Sequence, residues 1–215
     1  EGQVVLIEGE AGIGKSRVVD ELLLRLQRDG EPLNVLCGGY PPGGAATATG
    51  AFSHAYREHL GEEGSARHMA QAPALVPAFD ALLRGEPAPA GVVPLTKESL
   101  ATCFVQATRS LAAECPTVLV IDDLHFAPDE ARSLFMSLAM AAPGHRLLLV
   151  GTMRPGIDEK WLADLTRLPH TSQMTLPRLG PKDLGDLLRD CFKSERLAQA
   201  LALQVGQKSD GNPFF

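Results

Sequence analysis

Short aliphatic runs alternate with amphipathic segments along most of the chain, which predicts strands alternating with helices. Residues 4–7, 117–121 and 147–152 are aliphatic on both faces, as expected for parallel strands that helices cover on both sides. Residues 33–37 and 174–176 are weaker runs, placed to form a second strand and the strand that closes the sheet. The pattern predicts an α/β fold with a mostly parallel sheet.

Apolar residues at helical spacing mark the segments between these strands. The first helix is indicated by Val18, Val19, Leu22, Leu23 and Leu26, and the last by Leu197, Leu201 and Val205. The other predicted helices are 51–60, 68–84, 97–114, 128–141 and 181–192. Residues 38–50 and 86–94 are rich in Gly, Pro and small residues and are predicted loops.

The segment between the first strand and the first helix carries the clearest chemistry. Residues 9–16 read GEAGIGKS and match G-x-x-x-x-G-K-[ST], a loop that binds nucleotide phosphates. Gly9, Gly12 and Gly14 are expected to adopt backbone conformations closed to other residues, so that N–H groups point at phosphate oxygens. The nucleotide-binding residues predicted here are Glu10, Ala11, Gly12, Ile13, Gly14, Lys15, Ser16 and Arg17.

Two of these residues have further predicted roles. Lys15 is expected to place its ammonium against the β- and γ-phosphates, where it assists catalysis, and the Ser16 hydroxyl is expected to ligate Mg²⁺. The N-terminus of the following helix adds partial positive charge.

Asp122 and Asp123 close the 117–121 strand, at the end of the sheet where ligands gather in α/β proteins. We expect Asp122 to ligate the Mg²⁺ and Asp123 to orient or deprotonate the attacking water. The alternative is a pair of helix-capping acids in a solvated turn.

Arg154 follows the 147–152 strand, next to the predicted position of Asp122, where a cation can contact the γ-phosphate and stabilise charge in the transition state. The alternative is a solvated arginine. His125 is a weaker candidate for the same end of the site, and a local hydrogen-bonding role is the competing interpretation.

Absent motifs and overall charge narrow the function. A guanine-specific N-K-x-D motif cannot form, because neither Asn34 nor Asn212 precedes Lys, so ATP or ADP is favoured. The net charge of −6, without a basic stripe, argues against direct nucleic-acid binding. Four scattered cysteines indicate neither a zinc site nor a disulfide framework and fit a reducing, cytoplasmic setting. No apolar run approaches the roughly 20 residues that span a bilayer, so no membrane partner is expected.

Five segments together resemble a known family: GEAGIGKSRVVDELL, VLVIDDLHFAPDEA, LLLVGTMRP, LPRLGPKDLGDLL and the terminal SDGNPFF. In this order they resemble the ATPase domain of STAND-class signalling proteins. The most similar type is the AAA-like ATPase module of large ATP-binding LuxR-family transcriptional regulators. Where the family commonly reads DDLHWAD, this chain has Phe126 in place of the Trp.

The resemblance implies roles for several residues and for the domain boundaries. Asp122 and Asp123 would be Walker B acids, Arg154 the sensor arginine, and Pro213 the adenine-packing proline of a G-x-P element, with a simple helix stop as its alternative. Residues 1–176 would form the nucleotide-binding domain and 177–215 part of a helical lid. The family's V-G-R-E segment, which helps to hold the adenine, has no counterpart in these 215 residues.

The leading interpretation is an ATP-binding, slowly hydrolysing regulatory switch within a larger signalling or transcriptional regulator. The resemblance implies sensor and output domains outside this sequence and homo-oligomerisation on activation. A sustained ATPase motor or loader is the first alternative; it needs an arginine finger, for which Arg109 and Arg132 are candidates. A non-hydrolysing, nucleotide-bound scaffold is the second.

Overall fold

The computed structural model describes residues 1–28, 30–43, 47–61 and 64–214. Residues 44–46 of the predicted loop and Phe215 of the GNPFF segment lie outside these ranges. The strands are β1 (Gln3–Glu8), β2 (Asn34–Gly39), β3 (Thr117–Asp122), β4 (Leu147–Met153) and β5 (Thr171–Thr175). The helices are α1 (Lys15–Arg28), α2 (Gly50–Leu60), α3 (Val76–Arg84), α4 (Lys97–Glu114), α5 (Asp129–Ala141), α6 (Glu159–Thr166), α7 (Pro181–Phe192) and α8 (Glu195–Ser209).

The five strands form one parallel sheet in the order β2-β3-β4-β1-β5. All strands run in the same direction, so their carboxyl ends lie along one edge. The residues that follow β3, β4 and β1 therefore meet on three neighbouring strands. This arrangement confirms the predicted P-loop α/β fold and sets the position of the site.

The two faces of the sheet bury alternate side chains of each strand. On one face, residues such as Leu6, Leu119 and Leu149 join a large core with the aromatic side chains of α2 to α5. On the other face, Ile7 and Val120 pack with Val19 of α1. Because helices cover both faces of the sheet, its inner strands are apolar on both sides, as the sequence predicted.

Helices α7 and α8, called the helical pair below, have a small core of their own. Leu184 and Leu188 of α7 pack against Ala198 of α8, with Leu179 and Val205 at its margin. This core is separate from the two that flank the sheet. The pair occupies most of the segment predicted as a lid, and the boundary at 176/177 stays a prediction.

One predicted helix is wrong in extent. The continuous helix expected over 68–84 is reduced to α3, preceded by 3₁₀ turns at Ala66–His68 and Pro73–Leu75. Pro73 and Pro77 explain the difference, because a proline disfavours helical geometry in the residue before it and fits only the first turn of a helix. The β2 strand also extends through Gly39, two residues into the predicted loop. Within the described residues, no helix is long and apolar enough to cross a membrane.

Candidate nucleotide-binding site

The loop between β1 and α1 owes its shape to three glycines that act in two different ways. Gly12 and Gly14 have φ values of 75° and 106°, which residues with a Cβ rarely adopt. Gly9 does not have a positive φ, so the expectation of a special backbone conformation is wrong there. Its requirement is space, because a Cβ would lie 2.7 Å from Cγ2 of Ile13.

Lys15 opens α1 and folds back over the loop. Its Nζ donates to the carbonyl oxygens of Gly9 at 3.0 Å and Glu10 at 2.9 Å. The side chain is 7% exposed, and desolvation lowers the pKa of its ammonium, with Asp123 opposing this effect. No carboxylate in the described ranges forms an ion pair with it. A buried cation held only by two carbonyls is suited to bind an anionic phosphate.

Ser16, Asp122 and Thr152 form a connected hydrogen-bond network across three elements. The Ser16 hydroxyl of α1 donates to Oδ2 of Asp122 at 3.0 Å, and the Thr152 hydroxyl of β4 donates to Oδ1. The same Thr152 oxygen accepts the backbone N–H of Asp123 at 2.9 Å. The exposed hydroxyl and the carboxylate are both hard oxygen ligands, so the donor set fits Mg²⁺. A cleft of 300 Å³ opens beside Ser16 and Asp122.

Asp123 leaves the strand in a left-handed conformation with φ of 59°. This turn directs its side chain differently from that of Asp122, although the two residues are adjacent. Its carboxylate is 33% exposed and lies 3.7 Å from Nδ1 of His125. It makes no side-chain cap to the short 3₁₀ turn that follows, which disfavours the helix-capping interpretation.

Arg154 lies directly after β4 and is held by an aromatic ring. Its guanidinium carbon is 5.3 Å from the centroid of the Phe126 ring, within cation–π range. Its Nε is buried and has no hydrogen-bond partner among the residues that the structure describes. Phe126 thus supplies the flat aromatic surface on which the arginine rests.

His125 packs against the same aromatic residue, with ring centroids 4.0 Å apart. Both of its ring nitrogens are buried and lack a hydrogen-bond partner within the described chain, so the predicted local hydrogen bond is wrong. Desolvation lowers the pKa of His125, with Asp123 acting in the opposite direction. The positive charges of Arg154 and Lys15 also lower the pKa of His125.

The segment that follows α8, residues 210–214, contacts the phosphate loop and is called the terminal segment below. Asn212 donates from Nδ2 to the carbonyl of Ala11 at 2.9 Å, and a Cβ on Gly12 would lie 2.5 Å from Cβ of Phe214. Pro213, between them, is exposed. Asp210 and Gly211 already end the helix with positive φ values, so Pro213 is not required as a helix stop.

The structure therefore brings the predicted residues from β1, β3 and β4 to one edge of the sheet, with Pro213 beside the loop. Sequence reasoning missed Thr152, Asn212 and Arg178, each of which contacts this set. A threonine among the aliphatic residues of β4 was a usable signal for the first. The contact of Asn212 with Ala11 spans 201 positions, and no local pattern indicates it.

Residues 1–150 match the AAA ATPase domain family. The chain belongs to this family. The matched residues include the phosphate loop, strand β3 with Asp122 at its end, and the first four residues of β4.

Solved structures share the fold of this AAA ATPase domain at low sequence identity. A signal transduction ATPase with numerous domains from Pyrococcus horikoshii, which has a tetratricopeptide repeat sensor, is 16% identical over 99% of this chain, with a TM-score of 0.53. The Aeropyrum pernix ORC1 protein, solved in complex with DNA, is 14% identical over 96% of the chain, with a TM-score of 0.53. A Walker-type ATPase of Pyrococcus abyssi has a TM-score of 0.51 at 14% identity over 98% of the chain.

An uncharacterized protein of Rhizobium meliloti (strain 1021) is 28% identical to this AAA ATPase domain over 95% of the chain. The chain spans 22% of that relative, 26% of the Pyrococcus horikoshii protein, 50% of the Aeropyrum pernix protein and 59% of the Pyrococcus abyssi protein.

Proposed function

We propose that this AAA ATPase domain binds ATP with Mg²⁺, hydrolyses it slowly, and acts as a regulatory switch within a larger signalling or transcriptional regulator. The observation that carries the proposal is the contact between the phosphate loop and the terminal segment, made through Ala11 and Asn212. A loop that holds phosphate and also contacts the terminal segment, which directly follows α8, can translate its occupancy into a change of conformation.

Ser16 and Asp122 would hold the Mg²⁺, which when bound neutralises charge on the phosphates. Lys15 would exchange its two carbonyl partners for phosphate oxygens, since a desolvated ammonium gains most from an anionic partner. Thr152 fixes the orientation of the Asp122 carboxylate by its hydrogen bond.

Asp123 would accept a proton from the attacking water, and its partial exposure supports this role because water can reach the carboxylate. Arg154 would contact the γ-phosphate, for which its buried Nε without a partner is suited. Pro213 is exposed beside the phosphate loop, which supports a packing surface for adenine. The absence of an N-K-x-D motif favours adenine over guanine.

ATP and ADP would then stabilise different placements of the helical pair. Arg154 distinguishes the two nucleotides through the γ-phosphate, and Pro213 moves with the pair. A ligand shifts such an equilibrium only through contacts that differ between the two states, and the γ-phosphate supplies such a contact. Sensor and output domains, homo-oligomerisation on activation and a cytoplasmic setting complete the proposal, consistent with the multidomain signal transduction ATPase that shares the fold.

Nucleotide affinity tests the phosphate loop directly. Lys15→Ala is expected to weaken the binding of ATP and ADP with Mg²⁺ by at least about tenfold, because a charged hydrogen bond to phosphate contributes about 1.5–3 kcal/mol. Lys160→Ala, which removes a charge from α6, is the control. Isothermal titration calorimetry measures both variants, and unchanged affinity in Lys15→Ala would contradict the proposal.

The rate of ATP hydrolysis distinguishes the regulatory switch from a motor or loader and from a non-hydrolysing scaffold. Asp123→Asn is expected to slow ATP hydrolysis by about 100-fold while nucleotide binding is retained, because general-base catalysis contributes on that scale. Asparagine also tolerates the left-handed backbone of this position. Unaltered turnover in Asp123→Asn would refute the role in water activation. Strong stimulation by DNA or by self-assembly would favour a motor or loader, and no turnover at all in the parent chain would favour a scaffold.

A further inference from the structure

Arg178 joins the phosphate loop to both ends of the helical pair. Its Nε and Nη2 lie 3.0 Å and 2.8 Å from Oε2 of Glu10, which is the second residue of the loop motif. Its Nη1 donates to Oδ2 of Asp210, the C-cap of α8. Arg178 itself lies three residues before α7 begins at Pro181. One guanidinium, on a residue just before α7, therefore contacts both the loop and the residue that ends α8.

Glu10 is the residue through which this connection reaches the phosphate site. Its backbone carbonyl accepts the hydrogen bond from Lys15 Nζ at 2.9 Å, while its carboxylate binds Arg178. The lysine that is expected to hold phosphate and the arginine that holds the helical pair thus share one partner.

The terminal segment reinforces this connection. The backbone N–H of Leu179 donates to the carbonyl of Gly211 at 2.7 Å, so the entry to α7 and the exit from α8 are bonded to each other. Asn212, which is 5% exposed, accepts from the Phe214 N–H while it donates to Ala11. Leu179, next to Arg178, is therefore bonded to the terminal segment, which contacts the loop through Asn212.

We propose that Arg178 is a positioning residue that couples the helical pair to the phosphate loop through Glu10. Phosphate binding draws Lys15 away from the Glu10 carbonyl, and the Glu10–Arg178–Asp210 contact carries that change to the end of α8. This inference rests on the proposed function, because it assumes that the loop binds a nucleotide. It goes beyond it by naming the residues that transmit occupancy.

The chain contains a matched control for this idea. Arg189 also binds two carboxylates, Asp186 of α7 and Glu195 of α8, and its side chain is 49% exposed against 44% for Arg178. It lies wholly within the helical pair and does not contact the loop. Removal of either arginine costs an exposed ion-pair network, but only Arg178 would change the position of the pair relative to the loop.

The first experiment measures that position without nucleotide. Cys37 of β2 and Cys191 of α7 are exposed, so both accept spin labels in a Cys115→Ser background in which Cys103 is buried. Pulsed electron paramagnetic resonance is expected to give a narrow distance distribution in this background and a broader one with Arg178→Gln. Arg189→Gln is expected to leave the distribution narrow. Equal widths for the parent and Arg178→Gln would overturn the proposal.

The second experiment measures nucleotide retention with a fluorescent ADP analogue on unlabelled protein. Arg178→Gln and Glu10→Gln are each expected to speed dissociation about three- to fivefold, the scale of an exposed ion pair. The double variant should be no faster than either single one, because both changes remove one interaction. Arg178→Lys keeps the charge but loses the two-nitrogen contact, and should restore retention in part.

Additive effects of the two substitutions, or an equal effect of Arg189→Gln, would overturn the coupling. If the parent chain binds no nucleotide, the proposed function itself fails, and so does transmission of occupancy. The distance measurement then still decides whether Arg178 holds the helical pair in place.

Discussion

At the scale of single residues, the orientation of the Asp122 carboxylate depends on a side chain from another strand. Thr152 is fully buried and uses its hydroxyl both to donate to Asp122 and to accept from the backbone of Asp123. One oxygen atom thereby bonds the side chain of Asp122 and the backbone of Asp123. Such outer partners of a metal ligand affect metal affinity without touching the metal.

Thr152→Val is expected to weaken Mg²⁺-dependent nucleotide binding by about tenfold, because Asp122 loses the partner that orients it. The same change should cost about 1–3 kcal/mol of unfolding free energy, since the Asp123 N–H is left without an acceptor. Titration of Mg²⁺ at fixed nucleotide and urea unfolding measure the two effects.

Thr152→Ser, which keeps the hydroxyl, serves as one control. Thr108→Val is the other: it removes a buried hydroxyl that bonds Tyr56 and the Phe104 carbonyl, away from the site. It should lower stability while Mg²⁺ dependence is retained. If both valine variants change Mg²⁺ affinity equally, Thr152 has no specific role in orienting Asp122.

At the scale of elements, the helices and strands with a regular pattern of buried residues could be predicted from the sequence. The strands β1, β3 and β4 were predicted well, because strands covered on both faces are aliphatic nearly throughout and easy to distinguish. The closing strand was predicted only in part: the run 174–176 overlaps the last two residues of β5 (Thr171–Thr175), an edge strand whose residues are mostly polar and mostly exposed. The amphipathic helix α7 was also predicted. Helix α6 was missed, since it has eight residues and buries only Leu165, too little to give a period. The helix predicted over 68–84 was too long, because the prediction used apolar spacing and ignored that Pro73 and Pro77 disfavour helical backbone geometry in the residues before them.

Gly185 within α7 offers a test of how the helical pair is stabilised. A Cβ at this position would meet nothing within 4 Å, and its φ is not positive. Gly185→Ala is therefore expected to raise the unfolding free energy of the pair by about 0.5–1 kcal/mol, because alanine restricts the unfolded chain. Urea unfolding followed by circular dichroism measures the change.

Gly38→Ala provides the opposite case. A Cβ there would lie 2.0 Å from the carbonyl oxygen of Ala51, so β2 and α2 would have to separate. This substitution should destabilise the fold by about 1–3 kcal/mol, the usual cost of overpacking a core. If Gly38→Ala instead raised the unfolding free energy as Gly185→Ala is expected to do, the close contact between β2 and α2 would not be required for stability.

At the scale of the whole molecule, the proximity of the candidate site residues was predictable because a parallel sheet gathers its carboxyl ends at one edge. The loop, the acids and Arg154 each follow a recognisable strand, so their proximity could be deduced from strand order. The contacts of the loop with Arg178 and with the terminal segment could not be deduced from strand order, because they depend on where the helical pair lies relative to the sheet. Sequence spacing carries no information on that placement.

Two histidines are expected to make the stability of the whole fold dependent on pH. His145 lies just before β4, and burial and the positive charge of Arg109 lower the pKa of its imidazole. Burial and His68 lower the pKa of His59 in the same direction. Each histidine thus binds a proton more readily in the unfolded chain than in the folded one.

Their contribution to stability follows from this difference. Above the unfolded pKa of about 6.5 both histidines are neutral in both states, and their effect on stability is constant. As the pH falls below about 6.5, the unfolded chain takes up protons that the folded chain resists, and the unfolding free energy falls until the lower folded pKa is passed. We expect the melting temperature to fall between about pH 7.5 and pH 5.5, a window above the titration of most carboxylates. His145→Gln should flatten this dependence, and a variant with the full parental slope would show that the burial of His145 does not contribute to it.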